Sequence, residues 1–146
     1  MHVHEIGNEA ELEIFAATYL ETLTGATHTA TVVALSGDLG AGKTTCVQAI
    51  ARALSVDEPV TSPTFLIQKT YPVTHPVFTT LVHIDAYRLE SATELVQLGW
   101  EETCADPAHL ICLEWPERVA DILPAHTHYL EIHECPDGTR LITATP

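Results

Sequence analysis

The sequence predicts an α/β domain in three layers, with a mostly parallel central sheet and antiparallel strands at its C-terminal side. Three observations carry that expectation. Residues 31–35 form an apolar run, and Val47, Ile50, Ala51 and Leu54 follow at helical spacing. Between run and helix, residues 37–44 read Gly-Asp-Leu-Gly-Ala-Gly-Lys-Thr and fit G-x-x-x-x-G-K-[ST] at each fixed position. Farther on, apolar runs end in Asp85 and in Glu114, and alternating residues flank Pro136-Asp137-Gly138-Thr139, a hairpin signal. Strand, glycine loop and helix in that order describe a P-loop NTPase-like domain.

In chain order, residues 2–6 alternate and predict a short opening strand, with His2 and His4 at its exposed end. Asn8 to Glu11 form a capping box, after which Leu12, Phe15, Tyr19 and Leu23 share one helical face and Gly25 ends the helix. The buried strand, glycine loop and second helix run to about Leu54. Thr61, Ser62 and Thr64 crowd the expected start of a strand over 60–69, with Pro63 fixing a turn. Those hydroxyls suit either a switch segment that senses phosphate or the ordinary beginning of a strand. Residues 78–84 predict the next strand. A second capping box at Ser91 to Glu94 leads a short helix to Gly99, and 101–108 reads as loop. Residues 110–114 predict a deeply buried strand that Pro116 terminates, and 129–134 with 140–143 form the closing hairpin.

Composition narrows the function. The chain has 146 residues, 46% of them apolar, which suits one domain over 1–146 with a substantial core. No apolar run approaches the roughly 20 residues of a membrane span and no signal peptide opens the chain, so a cytoplasmic protein with no membrane partner is expected. Twenty acidic residues against six basic ones give a formal charge of −14. A chain that grips nucleic acid needs a basic stripe to displace counterions, so direct tRNA binding by this chain alone is not expected. Cys46, Cys104, Cys112 and Cys135 make no C-x-x-C pair, and the histidines lack zinc-like spacing.

The glycine loop names the chemistry. Glycines let successive N–H groups converge on phosphate oxygens at the positive end of a helix. Asp38, Leu39, Gly40, Ala41, Gly42, Lys43, Thr44 and Thr45 are therefore the expected nucleotide contacts. Lys43 reaches the β/γ-phosphates and the Thr44 hydroxyl ligates Mg²⁺. Asp85 and Glu114, at strand ends, point into the crevice where α/β sheets bind ligands. Asp85 serves either as a metal or water-orienting carboxylate or as a helix cap. Glu114 serves either in the Mg²⁺ shell or as an edge residue facing solvent. Arg88 is a phosphate contact or a salt-bridge partner.

Four segments now align: residues 37–45, Ser62-Pro63-Thr64-Phe65, His83-Ile84-Asp85-Ala86-Tyr87-Arg88-Leu89 and Leu113-Glu114-Trp115-Pro116-Glu117. In this order and spacing they resemble the TsaE family, the ATPase component of bacterial tRNA threonylcarbamoyladenosine (t6A) biosynthesis, over nearly the whole chain. The resemblance implies a Mg²⁺-dependent ATPase, weak alone and activated with its partners TsaB and TsaD, the latter modifying A37 of tRNA. It implies that Lys43 binds phosphate and takes part in catalysis, that Thr44 and Glu114 hold Mg²⁺, and that Asp85 is the catalytic or water-orienting carboxylate. It makes the segment around Thr64 switch-like and places Trp115 either in coupling to partners or in packing. Two positions depart from the family pattern. Ala86 replaces the usual Leu of Asp-Leu-Tyr-Arg, and Glu11 occupies a region where a Thr often lies near adenine. Asn8 and Glu9 are the candidates left for that end of the nucleotide.

A small-molecule P-loop kinase is the competing reading. Such an enzyme surrounds the transferred phosphoryl with cations, and beyond Lys43 this chain has only Arg52, Lys69, Arg88, Arg118 and Arg140. A GTPase would need an Asn-Lys-x-Asp segment, and the only asparagine is Asn8, with no lysine after it. A nucleotide-gated binding module with no meaningful turnover would use the same residues as a slow ATPase.

Overall fold

The computed structural model describes residues 1–146. Seven strands form one mixed sheet in the order β1-β7-β6-β2-β5-β4-β3. Their ranges are β1 (His2–Ile6), β2 (Thr31–Ser36), β3 (Gln68–Pro72), β4 (Thr80–Asp85), β5 (His109–Glu114), β6 (His128–Glu134) and β7 (Arg140–Thr145). The middle four, β6, β2, β5 and β4, are mutually parallel, while β1, β7 and β3 pair antiparallel at the two sides. The C-terminal hairpin is where the sequence puts it. The antiparallel β3 edge is not visible in the sequence pattern, because nothing there fixes the direction in which β3 runs.

Strands β2 and β5 are buried on both faces, as parallel central strands are when helices cover both sides. Helices α1 (Glu9–Thr22) and α2 (Lys43–Ala53) lie on one face, where Phe15, Leu20, Val47 and Ile50 pack against Val33, Leu35, Leu110 and Leu130. Short helices α3 (Ala92–Gln97) and α4 (Trp100–Cys104) lie on the other, where Leu95 and Trp100 meet Val32, Val82, Ile84, Ile111 and Leu113. None of these helices is long and apolar enough to cross a membrane.

Helix α1 begins as expected: Asn8 Oδ1 accepts the Glu11 N–H at 2.9 Å, while Glu11 accepts the Gly7 N–H at 2.8 Å. It ends at Thr22, before Gly25. The second box departs from expectation. Ser91 makes no cap bond, and Glu94 instead accepts the Glu90 N–H. Residues 101–108 do not form a simple loop: Trp100, buried against the sheet, anchors one helical turn there, α4. The expected strand over 60–69 is also corrected. Its first part is a turn, with the Leu66 and Ile67 N–H groups bonded to the Pro63 carbonyl, and strand pairing begins only at Gln68.

Leu113 is fully buried between β5 and the α3/α4 layer. Leu113→Ala is expected to lower stability by about 2–5 kcal/mol. Urea unfolding measures this, and a midpoint equal to wild type contradicts the two-sided burial of β5.

Candidate functional site

The glycine loop joins β2 to α2 by a backbone that few residues can follow. Gly42, the residue before α2, has φ of +107°, in the left-handed region, and a Cβ there would come within 2.9 Å of Arg140 Nε. Gly37 has φ of +150°, and a Cβ there would collide with the Ile132 carbonyl oxygen. Arg140 also donates to the Ala41 carbonyl at 2.7 Å, so the closing hairpin braces the loop from behind. The backbone N–H groups of Gly42, Lys43, Thr44 and Thr45 donate to no acceptor within the protein. They are the orphan donors of a helix start, the kind of group that receives anions in proteins.

Lys43 is buried against this loop. Its Nζ donates to the Gly37 carbonyl at 2.6 Å and to the Asp38 carbonyl at 2.9 Å, and it lies 4.1 Å from the centre of the Trp115 ring. Burial lowers its pKa below 10.5, and the nearby Glu114, Glu117, Asp85 and Asp38 carboxylates partly oppose that shift.

Two carboxylates sit beside the loop because β4 and β5 run parallel with Asp85 opposite Glu114 in register. Glu114 is buried, which overturns the alternative of an edge residue facing solvent. Its Oε1 and Oε2 accept the Thr44 hydroxyl at 2.9 and 3.0 Å, and Oε2 also lies 2.6 Å from His83 Nε2. Asp85 is buried as well and is not a helix cap, since α3 starts seven residues later. Its Oδ1 accepts the Tyr87 N–H at 3.0 Å. Its Oδ2 accepts the Thr64 hydroxyl at 2.8 Å and the Ser62 hydroxyl at 3.3 Å. The Ser62 and Thr64 hydroxyls thus precede the strand rather than begin it, and they are tied to Asp85.

The tip of that segment faces outward, with Phe65 85% exposed and Leu66 69% exposed. Arg88 forms no ion pair and stacks on Phe65 at 4.6 Å, while Tyr87 packs against Trp115 at 5.0 Å. Trp115 takes φ of +60°, turning the chain sharply after Glu114. A cavity of about 280 Å³ opens beside the loop, lined in part by Asn8, Glu9, Thr45, Gln48, Arg52 and Arg140. The two candidates for the base end of a nucleotide therefore lie next to the loop. A larger cavity of about 800 Å³ between β1 and α1 has no glycine-loop residue in its lining.

The sequence-derived residues fall into two overlapping groups. Lys43, Thr44, Thr64, Asp85 and Glu114 come together; Leu39 and Ala41 line a recess beside Ile132 to Pro136, and Asp38 belongs to both, lining that recess while its carbonyl accepts from Lys43 Nζ. Sequence reasoning gave no role to His83 or Arg140. The signal for His83 was a histidine inside an otherwise apolar strand; Arg140 had none, since only the fold brings it to the loop. All four cysteines are free, and burial pushes the Cys46 thiol up to about 12, which leaves it inert.

The Thr44–Glu114 pair tests the fit of a divalent cation. Both donors are oxygens, one is a buried carboxylate, and Mg²⁺ takes only one or two protein oxygens when phosphate and water complete its shell. The residues fit that role.

Comparisons with known proteins point to one family. The family model described as "Threonylcarbamoyl adenosine biosynthesis protein TsaE" matches residues 7–142. A tRNA threonylcarbamoyladenosine biosynthesis protein TsaE of Treponema pallidum is 40% identical over 112 residues, covering 77% of this chain and 79% of that one. Its namesake from Rickettsia bellii is 33% identical over 141 residues, 96% of this chain and 92% of that one. The crystal structure of Bacillus subtilis YdiB superposes with a TM-score of 0.76 at 26% identity, over 98% of this chain and 83% of that one.

Because the Lys43 pKa is lowered, the free protein loses that positive charge before an ordinary lysine would. Affinity for a nucleoside triphosphate is expected to fall as pH rises from neutrality, before 10.5 is reached. Calorimetric titration across that range checks the sign, and an affinity that stays level contradicts the phosphate role of Lys43.

Proposed function

The chain belongs to the TsaE family, a protein of tRNA threonylcarbamoyladenosine biosynthesis, and we propose that it acts there as a Mg²⁺-dependent ATPase working with TsaB and TsaD. The single observation that carries the reading is the Thr44–Glu114 contact, which joins the glycine loop to the end of β5. That contact makes a phosphate site and an oxygen-donor site continuous.

The phosphates rest on the N–H groups of residues 42–45, while the Ala41 N–H stays bonded to the Asp38 carbonyl and Lys43 turns from the Gly37 and Asp38 carbonyls to the β/γ-phosphates. Thr44 and Glu114 would hold Mg²⁺, which when bound neutralises phosphate charge. Asp85 orients the water that attacks the γ-phosphorus and accepts its proton; the bond to the β–γ bridging oxygen breaks, and ADP is the leaving group. Such transfer has a loose transition state, so holding the reacting groups in place is most of the catalysis. Asp85 Oδ2 is engaged by Thr64 and Ser62, so those hydroxyls must yield when water takes their place. Release of the 62–64 segment then moves the exposed Phe65 and Leu66, changing the surface offered to a partner.

The kinase reading gains nothing from the structure. Arg52 pairs with Glu13 and Lys69 with Glu58, Arg88 and Arg118 stack on aromatic rings, and Arg140 braces Ala41. Each cation beyond Lys43 already has a partner in the chain. The net charge likewise supports a protein that serves tRNA modification without gripping tRNA.

Asp85→Ala is expected to keep ATP binding and lose turnover by about 10²–10⁴-fold, the usual worth of a positioned base. Lys43→Ala is expected to lose binding itself. Steady-state hydrolysis and equilibrium binding separate the two, and wild-type turnover by the Asp85 variant removes it from the chemistry. Hydrolysis is then measured with and without the same organism's TsaB and TsaD. Slow turnover that rises on mixing supports the assignment. Turnover unchanged by the partners but raised by a small-molecule acceptor supports the kinase instead.

A further inference from the structure

One buried side chain beside the site has no part in the mechanism above. His83 lies in β4, fully buried, two residues before Asp85 and on the same face of the strand. Its Nε2 is 2.6 Å from Glu114 Oε2, and its Nδ1 is buried with no partner at all. An unsatisfied buried nitrogen is costly, and a residue kept only for packing would be apolar, like Val82 and Ile84 beside it. The bond to Glu114 is the one thing His83 does that a leucine cannot.

We propose that His83 is a positioning residue for the metal-binding carboxylate, its Nε2–H fixing the orientation of Glu114. Oε2 is held by His83 from within the sheet and shared with Thr44, whereas Oε1 has only the Thr44 hydroxyl. Oε1 is therefore the oxygen left for a cation. The two strands supply the geometry without adjustment, since His83 pairs with Cys112 and its imidazole reaches the next residue on that face of β5. Such outer contacts on a ligating carboxylate tune metal affinity by about 10–100-fold. Without His83, the carboxylate is free to swing toward the Lys43 ammonium, which already sits in its field. The inference rests on the reading of Glu114 and Thr44 as Mg²⁺ oxygens.

The test is equilibrium binding of a non-hydrolysable ATP analogue at rising Mg²⁺, for wild type, His83→Gln and His83→Asn. Thermal unfolding of each protein without nucleotide runs alongside. The longer Gln side chain puts an amide N–H near the position of Nε2, while Asn falls short. His83→Gln is expected to keep the wild-type Mg²⁺ midpoint, and His83→Asn to raise it about tenfold or more. Equal midpoints for Gln and Asn, whatever their melting temperatures, overturn the positioning role. If His83→Asn does not fold, His83→Leu replaces it with the same expectation, and a midpoint equal to that of His83→Gln again overturns the role. Wild-type binding that is indifferent to Mg²⁺ overturns the metal reading of Glu114 itself, and the inference falls with it.

Discussion

The Glu114 carboxylate is buried at the end of a central strand enclosed on both faces, and it is bonded on one side by Thr44 and on the other by His83. A carboxylate in that position is unfavourable unless its oxygens are satisfied. Three elements must arrive together for this to happen: β4 with His83, β5 with Glu114, and α2 with Thr44. Parallel pairing in the order β2-β5-β4 brings them there, because it ends all three strands at one edge of the sheet. Asp85 follows without further requirement, one residue past the apolar run of β4 and opposite Glu114.

Charge sets the next constraint. A triphosphate approaching a chain of net charge −14 would meet one buried ammonium, Lys43, and a set of backbone N–H groups. The remaining cations are spent on structure or on aromatic faces. A divalent cation at Thr44 and Glu114 would supply what side chains do not. The segments flanking these residues carry local strain, with left-handed backbone at Trp115 and at the β-branched Ile67. The Ile67 carbonyl also accepts the Asp85 N–H at 2.8 Å, so the turn before β3 is locked to the same carboxylate residue that its hydroxyls engage. Strained backbone beside a reacting group suits a segment with two arrangements.

Much of this was legible in the sequence, for physical reasons. Residues 37–44 need glycines where the backbone is left-handed or closely approached, so the pattern encodes its own conformation. Buried strands that end abruptly in Asp85 and Glu114 mark an edge where carboxylates meet, and burial of both decides against the helix cap and the solvent-facing edge residue that the pattern also allows. The failures have causes as definite. Residues 60–67 carry strand-forming side chains, yet the Pro63 turn and the bonds from Ser62 and Thr64 to Asp85 hold them out of the sheet. Helix α4 depends on burial of Trp100 against residues far away in the chain, which no local pattern records. His83 meets Glu114 across the β4–β5 pairing and Arg140 meets Ala41 in the glycine loop, and sequence spacing shows neither contact.

Reception of an anion by the N–H groups at the start of α2 underlies the proposed chemistry. It is tested most directly by amide chemical-shift mapping of the ¹⁵N-labelled protein titrated with Mg²⁺ and an ATP analogue. The largest shifts, and slowed hydrogen exchange, are expected at Gly42, Lys43, Thr44 and Thr45, with smaller changes at Thr64 and Asp85. Unmoved amides there, with the changes confined to the groove between β1 and α1, would contradict it.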